Sequence, residues 1–221
     1  REQIVEALIA VLELGVGLVN VGDALVLAGA ERLLRFDARH DVDPTVQEGW
    51  LDVTHRLTFA HAVALALGRS SAPEVLRLVF FAANFIHLAA GLDRRVARRV
   101  ARTASLEEVV AAIDRHDPEA AFASAAGYLR SGQSVEALRV ALADRALRDP
   151  AVRPIFVAHV IKTGVVAFAV REWLVGRADR DLPVLAYIRY AATPAQERAV
   201  ARLAHEAIGF VVHGKVPRTL T

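Results

Sequence analysis

Helix-start signals recur along this chain so closely that they leave room only for a succession of helices, and no segment alternates apolar and polar residues with the period of two a half-buried strand requires. Ser105-Leu-Glu-Glu108 is a capping box that opens a helix to about Arg115. Asp117-Pro118 pairs an N-cap with a proline at the first helical position, and Gly132 closes that helix. Ser134 caps the next, to about Arg148. Pro150 and Pro154 precede a long apolar helix that ends near Gly176. A charged loop at 178–183 leads to a short helix, and Thr193-Pro194 caps a last one to about Gly214.

In the first half, one apolar helix is expected from about Glu2 to Arg35, then a polar loop from Phe36 to Gly49. A second helix spans about Trp50 to Gly68. After a turn at Ser70, Pro73 starts a third helix that reaches about Gly91, and the arginine-rich segment from Asp93 to Arg102 reads as helical. The expected fold is all-α: one multi-helix bundle of about eight to ten helices, with residues 1–221 forming a single helical domain. Hydrophobic residues make up 54% of the chain and charged residues 24%, which is enough apolar surface for a core and argues against disorder.

Several function classes fall away on composition. The chain has no cysteine, which removes disulfides, thiolate metal sites and cysteine nucleophiles, and fits a reducing, cytoplasmic location. Methionine is absent as well, so Arg1 reads as an interior position of a longer product with an N-terminal module expected before it. A net charge of +2, and an Arg94–Arg102 face without interleaved aromatics, argue against nucleic acid. No uncharged apolar run reaches about 18 residues, so no membrane span is expected. G-x-S-x-G, P-loop and H-E-x-x-H motifs are missing, and Gly15, Gly17 and Gly22 lie inside a helix pattern, where they permit a kink or a close helix approach.

The chemistry lies in polar residues on apolar helices. Asp52 and His55 have D-x-x-H spacing, and Asn84 and His87 have N-x-x-H spacing, each pair on one helix face. His55 lies 15 residues before Ser70 and His87 lies 17 after it, so an antiparallel hairpin brings both to one height. His159 and Lys162 share a face of the long apolar helix, where the lysine either snorkels to solvent or pairs with a buried carboxylate, Glu13 or Asp23. His61 lies about 120° round its helix from His55. Three readings stand side by side: a metal centre, a metal-free polar pocket, and histidines that are purely structural. For a metal, His55, His87, His159, Glu13 and Asp52 are the candidate ligands. Iron or another divalent ion is the candidate metal, since two histidines and one carboxylate suffice for non-haem iron. His61 and Lys162 are the candidates for catalysis.

The stretch Leu51-Asp-Val-Thr-His-Arg-Leu-Thr-Phe-Ala-His61 with the following run to Gly68 resembles a bacterial helical domain often fused to a Rieske ferredoxin module. The stretches Asp117-Pro-Glu-Ala-Ala and Gly127-Tyr-Leu-Arg-Ser-Gly132 belong to the same similarity, as does His159-Val-Ile-Lys162. More weakly, the chain is similar to questin-oxidase-like helical proteins. The resemblance covers about half of the chain. It implies a redox role, in which a ferredoxin-type electron donor serves a site in the helical domain, and it places His61 where the family carries Asn. Two functions follow as expectations. One is an oxidoreductase or oxygenase-like domain acting on a small-molecule substrate in a pocket of histidines. The other is a non-catalytic ligand- or partner-binding helical domain.

Overall fold

A computed structural model describes residues 2–41, 43, 45–46, 49–96, 103–148, 154–193 and 196–217. Ten α-helices run through them. They are α1 (Glu2–Glu13), α2 (Leu18–Arg35), α3 (Gly49–Leu67), α4 (Pro73–Leu88), α5 (Leu106–Asp114), α6 (Pro118–Arg130), α7 (Val135–Leu147), α8 (Pro154–Trp173), α9 (Leu182–Ala191) and α10 (Gln196–His213). Short 3-10 turns follow α2 at Ala38–Asp41 and α4 at Ala89–Leu92. Among the described residues there is no strand, only an isolated bridge between Phe36 and Asp93. The expected all-α bundle is what forms.

The caps form where the residue types require them. Ser105 accepts from the Glu108 amide while the Glu108 carboxylate accepts from the Ser105 amide. Asp117 and Ser134 each accept from the amide three residues on, at 2.9 and 3.1 Å. Gly132 takes a φ of +70° after α6, a left-handed conformation that glycine adopts without penalty.

Three expectations are corrected. The single first helix divides at Leu14–Gly17, where Gly15 has a φ of +75° and breaks the ladder. The segment from Asp93 to Val96 is not helical: Asp93 pairs with Arg32, the Arg94 amide donates to the Arg35 carbonyl, and the Arg94 guanidinium pairs with Glu119. These ties to α2 and α6 outweigh local helix propensity; the remaining arginines expected on that face, Arg98, Arg99 and Arg102, lie outside the described residues, as do Pro150 and Pro194. Thr193 does not act through its hydroxyl as a helix cap, since that group donates to the Tyr190 carbonyl and accepts from Trp50 Nε1.

At the centre, α2 and α3 pack at contact distance because glycine permits it. A methyl group at Gly29 would stand 2.8 Å from the Arg56 carbonyl oxygen, and one at Gly22 would stand 3.0 Å from Ala64 Cβ. Around this pair close α4, α8 and α9. Trp50 is sandwiched between Tyr190 and Phe156, with ring centroids at 4.3 and 4.9 Å. Arg189 is fully buried and donates from Nη1 to the carbonyls of Leu34 and Phe36 at 2.7 and 2.9 Å, and from Nη2 to Glu119 at 3.0 Å. It thereby satisfies backbone acceptors at the end of α2 that have no helical partner. One stretch, Pro73–Leu92, is long and apolar enough to cross a membrane, with a mean hydropathy of 1.8. It carries Glu74 and Arg77; 22% of it is buried, including Val79, Ala82 and Ile86, while Phe81 and Leu88 are exposed.

Candidate functional site

Helices α3, α4 and α8 leave an open groove of about 790 Å³ between them. Its apolar walls are Phe59, Phe81, Phe85 and Val166; its polar groups are His55, Thr58, Asn84 and Lys162. Phe59 meets Phe85 edge to face with centroids 5.8 Å apart. Under that ring the buried Arg56 guanidinium lies 3.4 Å from the Phe85 centre and donates to Asp52.

His55, which lines the groove, meets His159 Nε2 to Nε2 at 3.1 Å. The His159 Nδ1 lies 2.6 Å from the Ile155 carbonyl oxygen, which can only accept, so that nitrogen carries a hydrogen. In the neutral pair His159 Nε2 is therefore the acceptor and His55 Nε2 the donor. His55 Nδ1 is then bare and is the basic nitrogen the pair presents. Burial holds His55 below the ordinary histidine range, reinforced by the nearby positive charge of Lys162. The Lys162 ammonium is itself pushed down by burial. Among the described residues no carboxylate pairs with Lys162: Glu13 is exposed at the end of α1, and Asp23 is held by Arg177 at 3.5 Å.

The other predicted residues go elsewhere. His87 reaches the expected height, as the Phe59–Phe85 and Arg56–Phe85 contacts across the hairpin show, but its side chain is exposed. It lies two residues beyond Phe85, about 200° round the helix and so away from the groove. His61 packs edge-on to Trp173 with centroids 6.3 Å apart, and burial lowers its pKa. Asp52 is engaged with Arg56. Glu13, like Glu6 and Asn20, lies on a solvated face. Among the described residues no three His, Asp or Glu side chains converge as a ligand set. The five proposed ligands thus reduce to two imidazoles that hydrogen-bond each other, which does not fit the two-histidine, one-carboxylate donor set of non-haem iron.

No family model matches this chain. No curated protein and no solved structure matches it either.

The groove's aromatic walls were not anticipated from sequence. The hairpin arithmetic that paired His55 with His87 also pairs Phe59 with Phe81, each 11 residues from Ser70 and both lining the groove. Applied to the aromatics, it would have located this wall.

Proposed function

We propose that the α3–α4–α8 groove is a small-molecule site in which the His55–His159 pair moves a proton to and from a bound organic substrate. The observation that carries this reading is the 3.1 Å contact between the two imidazoles, with His159 locked in one tautomer by the Ile155 carbonyl. A fixed tautomer sets which nitrogen accepts the proton, as general acid–base work requires. Three phenylalanine rings suit a flat apolar body, and the few convergent polar groups suit one oxygen function on it. The resemblance of the Leu51–His61 stretch to helical domains that partner Rieske ferredoxins is the support for oxidation as the reaction class in this reading, with proton transfer as the part these side chains would supply. The electron partner would then be a ferredoxin-type module. Iron or another divalent metal has no part in this reading, because the two imidazoles are engaged with each other and, among the described residues, no carboxylate joins them as a ligand set.

The test is a nuclear magnetic resonance titration of the histidine ring signals with 2-naphthoate. Saturable shifts of His55 and His159, with His213 unmoved, are expected. Loss of the His55 response in Phe85→Ala, with the helical spectrum retained, would place the probe in the groove. Binding without turnover of any substrate by the full-length protein would favour the alternative, a ligand-binding domain. Shifts confined to other histidines would remove the reading. Addition of manganese(II) in the same experiment checks the exclusion of a metal, because a paramagnetic ion on the pair would broaden both rings.

A further inference from the structure

This chain carries 27 arginines and lysines, of which only Lys162 and Lys215 are lysines. Elsewhere it meets its need for positive charge with guanidinium, as in the buried Arg56 and Arg189. A lysine inside an aromatic groove therefore stands out. Its surroundings are those of an amine kept for chemistry. Phe59, Phe81 and Phe85 line the groove beside it, the imidazole of His55 lines it too, and among the described residues no carboxylate pairs with it. Arginine in the same place could supply charge but could not form a carbon–nitrogen double bond.

We infer that Lys162 forms an imine with a flat, apolar aldehyde or ketone bound in the α3–α4–α8 groove. The inference rests on the groove being a small-molecule site. The uncharged Nζ adds to the carbonyl carbon, a proton passes from nitrogen to the former carbonyl oxygen, and the carbinolamine loses that oxygen as water while C=N forms. No electrons are exchanged, and no co-reactant is needed. His55 serves as the proton carrier for the two transfers, through its bare Nδ1. Burial favours the uncharged amine that the first step needs. Each unit by which the pKa falls raises the uncharged fraction near neutral pH about tenfold.

The experiment incubates the full chain at neutral pH with 2-naphthaldehyde and cyanoborohydride, which reduces an imine to a stable secondary amine, and maps the adduct by peptide mass spectrometry. Lys215 is exposed on the same molecule and serves as the internal control. A naphthylmethyl adduct at Lys162, formed about tenfold or more faster than at Lys215, is the expected result. It should be slowed by 2-naphthalenemethanol, which binds but cannot form an imine. Lys162→Arg should abolish that adduct while keeping the circular dichroism spectrum. If the alcohol binds in the groove but Lys162 is labelled no faster than Lys215, the imine is overturned and the small-molecule site stands. If the alcohol does not bind and no Lys162 adduct forms, both readings fall together.

Discussion

The guanidinium of Arg56 on α3 lies 3.4 Å above the centre of the Phe85 ring on α4. The same side chain donates to Asp52 one turn earlier, and burial pushes its pKa down from the usual arginine range. One charged group thus supports the groove wall from beneath. Phe85→Leu keeps apolar bulk but removes the ring face, so it should lower stability by about 1–2 kcal/mol, the range for a desolvated cation–π contact. Urea denaturation of Phe85→Leu, Asp52→Asn and the double variant checks this. Strictly additive losses would show that the two partners do not hold Arg56 jointly.

Acid should weaken the fold through its half-buried histidines. His55 and His61 both titrate below 6.5 in the folded chain, chiefly because burial disfavours the imidazolium. The unfolded chain then binds more protons between the folded and unfolded pKa values, so stability rises with pH across that window. Their full contribution is present above 6.5 and is lost as pH falls from there through the lower folded values. Urea midpoints taken from neutral pH down to about 5 should fall, and the double variant His55→Gln, His61→Gln should flatten the slope. An unchanged slope in that variant would assign the acid sensitivity to other groups.

Arg189 is a stability hot spot unrelated to the groove. Replacing it with Ala leaves the Leu34 and Phe36 carbonyls without its donors and removes one partner of Glu119. The expected cost is about 3–5 kcal/mol, as for breaking a buried ionic hydrogen-bond network. Arg189→Lys should recover less than half of that loss, because an ammonium lacks the fork that serves three acceptors at once. Near-complete recovery by lysine, measured by thermal and urea unfolding, would count against this account.

Gly29 and Gly22 differ in what a methyl group would meet. At Gly29 the nearest atom is a backbone carbonyl oxygen at 2.8 Å, which moves only if α3 moves. At Gly22 the nearest is the Ala64 methyl at 3.0 Å. Gly29→Ala should therefore cost about 1–3 kcal/mol through overpacking, and Gly22→Ala less, since helix propensity returns about 1 kcal/mol at either site. Comparison of the two melting temperatures decides it, and a reversed order would mean that α3 yields more readily than its side-chain packing.

The sequence by itself determined the elements and their order. Caps at Ser105, Asp117 and Ser134 are local contacts within a few residues, so they form as their residue types dictate. Spacing about Ser70 also set the heights at which α3 and α4 meet. Tertiary structure decided rotation and partnership. His87 and Asn84 are three residues apart on α4, yet Asn84 lines the groove and His87 faces solvent, because the helix turns so as to bury Val79, Ala82 and Ile86. The meeting of His55 with His159 joins residues 104 apart in sequence, and no local pattern encodes the angle at which α8 lies against α3. Glu13 left the site for the same kind of reason. The break at Gly15 separates α1 from α2, and Glu13 ends α1 exposed to solvent. Local hydrogen bonding is legible residue by residue, whereas the convergence of side chains depends on how each helix trades exposed for buried apolar area across the whole bundle.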